Sequence, residues 1–245
     1  MCAVGGARGA GSLRVAAAAN LAYALDGLNA EFSRTAPGVE VTVVLGASGS
    51  LVAQISNGAP YDVFLSADLG FPEALVRTGH ADAASLTPFA VGKIVLWTLK
   101  PGVELSSVAA AVRSPSVRSL AIANTVSAPY GRGARQALER LGLWDLVRPK
   151  LVSAEDISQT AEFVETGNAD AGFVAMSAVL SPKLKGRGRW IEVPAELYEP
   201  LVEGAVITAR GKGNPESARY ISFLRSAGAR AVLERFGYGS PASLR

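Results

Sequence analysis

The residues with chemistry to offer stand where apolar strands run into helices, and Ser48 is the first of them. In residues 41–55 (VTVVLGASGSLVAQI), Val41, Val43, Val44 and Leu45 read as a buried strand. Gly46, Ala47, Ser48 and Gly49 read as a small-residue turn, and a helix opens at Ser50 with Leu51, Val52 and Ile55 inward. The first N–H groups of a helix have no intrahelical partner, and the aligned peptide dipoles place partial positive charge there, so such a turn can hold an anion. Ser48 adds a hydroxyl donor. Taken alone, the turn has an equally good explanation without a ligand: Gly46 and Gly49 make the bend and Ser50 caps the helix. Asn20 stands at another helix start, where its side chain can cap or donate outward.

Other chemistries find little support. His80 is the only histidine and lies in a Gly-Ala-Asp loop, a surface position. Cys2 is the only cysteine, so neither an internal disulfide nor a cysteine-rich metal site can form, and a Ser-His-Asp or Cys-His catalytic set is hard to assemble. Gly92-Lys93 precedes Ile rather than Ser or Thr, and Gly131-Arg132-Gly133 is too short for a dinucleotide fingerprint. Asp62, Asp68 and Asp156 could form a metal set, although capping explains each about as well. With 24 basic and 21 acidic side chains the net charge is +3, and the longest basic run, KLKGRGR at residues 183–189, reads as a solvated loop, so nucleic acid is not indicated. No apolar run reaches the ~18 to 20 residues of a membrane span.

The elements that must position these residues alternate. Residues 13–17 form an apolar strand; Leu21, Leu25, Leu28 and Phe32 then fall at helical spacing until Pro37-Gly38. After the Ser48 unit come a strand at residues 62–66 (DVFLS) and a short helix opened by Asp68. A loop at residues 86–92 leads into a strong strand at 93–99 (KIVLWTL), where a second series begins: a strand at 120–123, a polar turn at 124–130, and a helix at 131–141. A helix at 156–164, a strand at 171–175 (AGFVA) and a short strand at 190–193 follow. The late strand at 201–208 (LVEGAVIT) precedes two terminal helices. Strand–helix alternation predicts an α/β fold of mostly parallel sheets, with ligands beyond the carboxyl ends of the strands. The terminal helices need a core to cover, which returns the C-terminal segment to the first lobe. The expected division is residues 12–88 with 201–245, and residues 89–200, with crossings near 86–92 and 196–201 and a ligand cleft between the lobes. Residues 1–11 are set outside the fold as a disordered segment.

Taken together, AAAANL (residues 16–21), GASGSL (46–51), GAPYDVFLSAD (58–68), LGLWD (141–145), RPKLVSAEDI (148–157) and RFGY (235–238) resemble the substrate-binding protein of a bacterial molybdate ABC importer. The resemblance runs from about residue 13 to about residue 238, and the order of the motifs is more specific than any one of them. It implies a two-lobe periplasmic-binding-protein-like fold (type II), whose lobes close over a molybdate or tungstate dianion held by hydroxyls, amides and backbone N–H groups. Carried across, Ala19 and Asn20 match the first contact, Ser48 the second, the turn at Tyr130 the third, and Ile157 contributes a backbone N–H. At Ala175 many relatives have a tyrosine whose hydroxyl reaches the anion; Tyr130 could replace it from across the cleft, by hydroxyl or by N–H, and the N–H is the expectation here.

Physical logic agrees with a donor-only site. Molybdate carries no proton at neutral pH, whereas hydrogen phosphate would present an O–H with nothing to accept it; sulfate passes that test and must be rejected by size. The resemblance further implies a monomeric carrier in the periplasm, no catalysis, no cofactor, molybdenum bound only through its oxygens, and a membrane permease as partner. A sulfate carrier or an enzyme using the same cleft stand as alternatives. The opening MCAVGGARGAG lacks the regions of a signal peptide, so a carrier of this kind would have a removed leader, and Cys2 is a candidate for lipid modification.

Overall fold

Two runs of strand–helix alternation build two sheets of identical plan. The computed structural model describes residues 11–244, so Cys2 and the opening segment up to residue 10 lie outside the described residues. The first run is β1 (Ser12–Ala18), α1 (Ala22–Thr35), β2 (Glu40–Gly46), α2 (Ser48–Ser56), β3 (Val63–Ser66), α3 (Gly70–Arg77) and β4 (Thr87–Gly92). The second is β5 (Ile94–Thr98), α4 (Val108–Arg113), β6 (Leu120–Ala123), α5 (Pro129–Arg140), α6 (Trp144–Val147), β7 (Leu151–Ala154), α7 (Ile157–Glu165), β8 (Ala171–Ala175), α8 (Met176–Leu180) and β9 (Arg189–Glu192). The chain then returns through β10 (Leu201–Ile207) to α9 (Pro215–Leu224) and α10 (Ala227–Arg235).

The first sheet has the order β2-β1-β3-β10-β4 and the second β7-β6-β8-β5-β9. In each, three parallel strands are extended by an antiparallel strand and then by an edge strand. This is the expected α/β, two-lobe architecture. Central strands are buried on both faces and read as unbroken apolar runs, as in β3 and β6. The C-terminal helices cover the first sheet: Tyr220 and Phe223 of α9 meet Phe32 of α1 at ring-centroid distances of 4.9 and 5.4 Å.

Several local expectations change. The strand at residues 41–45 is an edge strand, so Val44 and Leu45 stay 39% and 47% exposed rather than buried. The loop expected at residues 86–92 is mostly β4, paired antiparallel with β10. β4 contains Pro88, which an edge strand tolerates although it cannot donate to the ladder. Sheet membership therefore changes between Gly92 and Lys93, and the expected boundary at residue 88 falls inside a strand. β7, at the edge of the second sheet, and the short helices α4, α6 and α8 were not foreseen; none is long enough to show a period.

One ion pair fixes the end of the second sheet away from these chain crossings. Asp170 accepts from Lys100 Nζ at 2.6 Å and from the N–H groups of Arg118 and Ser119 at 2.7 and 3.0 Å. Burial alone would push this carboxyl up, but the three donors outweigh it and hold it at about 2. Against an unfolded value of roughly 3.9, the bound carboxylate contributes about 2 kcal/mol that is present above pH ~4 and lost as pH falls through ~2. Asp170→Asn should therefore lower stability to urea by about that amount at neutral pH, with the difference from the parent vanishing in strong acid.

Candidate functional site

Four helix starts converge where the lobes meet. A single 3-10 turn (Ala19–Leu21) follows β1, and α2 follows β2; both belong to the first lobe. α5 and α7 follow β6 and β7 in the second. Each pair sits at the carboxyl ends of neighbouring parallel strands, so the sheet register itself brings the helix starts side by side. Between them lies a cavity lined by Ala19, Asn20, Ser48, Tyr130 and Ile157, together with Ala18, Gly46, Ala47, Ala67, Ala128, Pro129 and Asp156. All the residues expected to serve as ligands are thus brought to one place. The space is small, ≈ 10 Å³, which leaves no room for an extended organic solute.

The donors come from position rather than from charge. Ser48, Tyr130 and Ile157 stand in the first turns of their helices and Asn20 in its 3-10 turn, and no hydrogen bond within the described residues takes their N–H groups. α2 opens at Ser48, two residues earlier than expected, and Ser50 does not cap it. The Ser48 oxygen accepts from Ala67 N–H at 3.1 Å, which leaves its hydroxyl proton free to donate into the cavity. Among the described residues no Lys, Arg or His lines the space. Asp156, the one carboxylate at the wall, is turned onto its own helix, where it accepts from the N–H groups of Ser158 and Gln159 at 2.9 and 3.0 Å.

One side chain behaves otherwise than expected. Asn20 neither caps its helix nor donates outward: its Nδ2 donates to Glu203 at 2.8 Å and to the Tyr238 hydroxyl at 3.0 Å. Tyr238 donates in turn to the Asn20 carbonyl at 2.8 Å, which fixes the orientation of the amide. The Tyr130 hydroxyl lies against Glu203 at 3.4 Å, seated over Gly92, where an added Cβ would sit 2.0 Å from it. It therefore does not stand in for the tyrosine missing at Ala175, which is itself buried at the end of β8 and does not line the cavity. The other candidates disperse. Asp62 accepts from Arg14 N–H at 2.8 Å, Asp68 from Phe71 N–H at 3.1 Å, and His80 faces Thr78 at 3.0 Å on the surface. Among the described residues no group of three His, Cys, Asp or Glu side chains could hold a metal ion.

The lobes are closed on the cavity. Gly49 N–H donates to the Ser127 carbonyl, Ser158 Oγ to the Ala19 carbonyl and Ser177 Oγ to the Asn20 carbonyl, each at 2.8 Å, and Arg132 pairs with Asp68 across the cleft. Sequence reading missed these serines, which carry no pattern of their own. It also missed Glu203, for which a signal existed: it is the single charged residue in an apolar strand, LVEGAVIT.

The sequence profile for bacterial extracellular solute-binding proteins matches residues 13–239. The chain belongs to that family. It is 40% identical over 231 residues to the molybdate-binding protein ModA of Azotobacter vinelandii, covering 94% of this chain and 90% of that one. To the molybdate-binding protein ModA of Rhodobacter capsulatus it is 38% identical, covering 94% and 88%. The solved periplasmic molybdate-binding protein of A. vinelandii superimposes with a TM-score of 0.88 at 35% identity, over 94% of this chain and 99% of that one. Members of the family are solute-binding proteins of transport.

Proposed function

We propose that this protein captures molybdate or tungstate in the interlobe cavity and delivers it to the membrane permease of an ABC importer. The observation that carries the reading is the donor-only wall: free N–H groups from four helix starts and the Ser48 hydroxyl, with the one nearby carboxylate turned away. Such a wall satisfies every oxygen of an unprotonated tetrahedral dianion and leaves the O–H of hydrogen phosphate without an acceptor. Neutral donors also suit a reversible carrier, because a dry pocket lined with Lys or Arg would carry a large desolvation cost when empty. The molybdate-binding relatives support the same reading. The metal is cargo, held through its oxygens by Ala19, Asn20, Ser48, Tyr130 and Ile157; no cofactor and no catalytic step is invoked. The protein works as a monomer in the periplasm.

Thermal unfolding with a panel of oxyanions tests this. Binding to the folded state alone adds about 2.7 kcal/mol at a hundred times the dissociation constant. For a chain of this length that is a rise of about 5–10 °C, expected with molybdate and with tungstate and absent with phosphate. An equal rise with sulfate at the same concentration would make the cavity a general oxyanion site, and no rise with any of them would end the proposal.

A further inference from the structure

Behind the cavity lies a buried polar cluster that anion binding does not use. Glu203, the third residue of β10, stands two residues past the point where the chain re-enters the first lobe, opposite Ala90 of β4, with a bulge between it and Gly204. Its side chain is fully buried. Its Oε1 accepts from Asn20 Nδ2 of the first lobe at 2.8 Å and from the Tyr130 hydroxyl of the second at 3.4 Å. Asn20 and Tyr130 are the residues that present cavity N–H groups from opposite lobes. We propose that Glu203 is the positioning residue of the oxyanion site: from β10, just after the chain re-enters the first lobe, it holds the Asn20 turn through the 2.8 Å bond to Nδ2 and so sets where the Asn20 N–H meets the anion, while the 3.4 Å approach of the Tyr130 hydroxyl adds little.

The chemistry of the cluster fits that role. Burial pushes the Glu203 carboxyl far up, against the bonds from Asn20 and Tyr130 and with the Asp68 carboxylate adding to the effect. The Tyr130 and Tyr238 hydroxyls are pushed up by burial and by Glu203. Among the described residues no Lys, Arg or His hydrogen-bonds Glu203, and Asp68 itself is paired with Arg132. Burial therefore favours the neutral carboxyl, which suits an acid next to turns that ligate a dianion. Two buried oxygens of the cluster, Asn20 Oδ1 and Glu203 Oε2, have no hydrogen-bond partner among the described residues. Both are acceptors while the carboxyl is ionised, whereas protonation turns one of the carboxyl oxygens into a donor. An ion pair would have tolerated Glu→Asp or a swap of partners. A neutral acceptor predicts instead that glutamine, with the same shape and the same carbonyl oxygen, can take its place.

This inference rests on the cavity being the oxyanion site, and titration calorimetry with molybdate separates the two. Glu203→Gln should bind within about threefold of the parent, while Glu203→Leu, which removes the acceptor but fills the space, should lose about tenfold or more. Asn20→Ala keeps the backbone N–H and loses the side-chain ties to Glu203 and to the Tyr238 hydroxyl, so it should weaken binding at least to a similar extent, and adding Glu203→Leu to it should cost no more than Asn20→Ala alone. Glu203→Leu or Asn20→Ala binding as tightly as the parent would overturn the positioning role, as would Glu203→Gln binding as weakly as Glu203→Leu, or additive losses in the double variant. Should Glu203→Leu fail to fold, Asn20→Ala against Glu203→Gln decides the matter by the same outcomes. A parent protein that binds no molybdate overturns the function and this role together, whereas a parent that binds while the variants are unaffected overturns the role alone.

Discussion

Ser48→Ala should bind molybdate at least about tenfold more weakly than the parent, because a hydrogen bond to a charged group is worth roughly 1.5 to 3 kcal/mol. The geometry makes Ser48 the residue of choice for this test. Its oxygen is already an acceptor for Ala67 N–H, so the hydroxyl proton has one direction left, and the residue is 1% exposed at the cavity wall. Alanine removes the donor to the anion and at the same time leaves Ala67 N–H without its partner. The variant should therefore also lose a measurable part of its stability without ligand, about 1 kcal/mol or more. Tyr130→Phe is the control: its hydroxyl lies 3.4 Å from Glu203, whose Oε1 keeps the 2.8 Å bond from Asn20. Titration calorimetry should place it within about threefold of the parent. A loss for Tyr130→Phe as large as for Ser48→Ala would put the tyrosine hydroxyl on the anion, and an unchanged affinity for Ser48→Ala would remove the turn after β2 from the site.

Gly131→Ala is expected to disable binding without touching any ligating atom. Gly131 lies in the first turn of α5, packed on the end of β6, where an added Cβ would sit 2.3 Å from the Ala123 carbonyl oxygen and 2.5 Å from that of Asn124. Backbone oxygens cannot move aside as a flexible side chain would, so the start of α5 must shift, and the Tyr130 N–H shifts with it. Alanine in a helix gains up to about 1 kcal/mol over glycine, but overpacking of this kind costs typically 1–3 kcal/mol and wins. The variant should melt lower and bind molybdate at least about tenfold more weakly, since a displaced donor forfeits most of a charge-assisted bond. Gly213→Ala supplies the comparison: an added Cβ there meets nothing within 4 Å, and both stability and affinity should stay at parental values. A Gly131→Ala protein with parental affinity would mean that the α5 start does not contribute to the cavity.

Much of this molecule is legible in one dimension because the relevant physics is local. Buried parallel strands must be apolar on both faces, so β3, β6 and β8 appear as short apolar runs, and the carboxyl ends of β1, β2 and β6 run into small or polar residues where a helical turn begins. Because the donors are first-turn N–H groups, their places follow from where helices start. That is why Asn20, Ser48, Tyr130 and Ile157 could be singled out by element reading and by resemblance, and why they share one cavity in the fold. The terminal helices returned to the first sheet for an equally plain reason: α9 carries Tyr220 and Phe223, too much apolar surface to leave in water.

Tertiary structure alone decided what the side chains do. A strand at a sheet edge and one at its centre can have the same composition, so Val44 and Leu45 read as buried and β4 read as a loop. Asn20 at a helix start has several partners open to it in sequence; Glu203, 183 residues away, and Tyr238, 218 residues away, settled the matter by meeting its amide at 2.8 and 3.0 Å. Tyr130 had a hydroxyl and an N–H to offer, and the seat over Gly92 gave the hydroxyl to Glu203 and left the N–H to the cavity. Closure likewise depends on carbonyls meeting serines and an N–H from the other lobe, contacts without any period or motif. Local propensity places an atom on an element, but the direction in which it spends its hydrogen bonds is set by whichever distant residue the fold buries beside it.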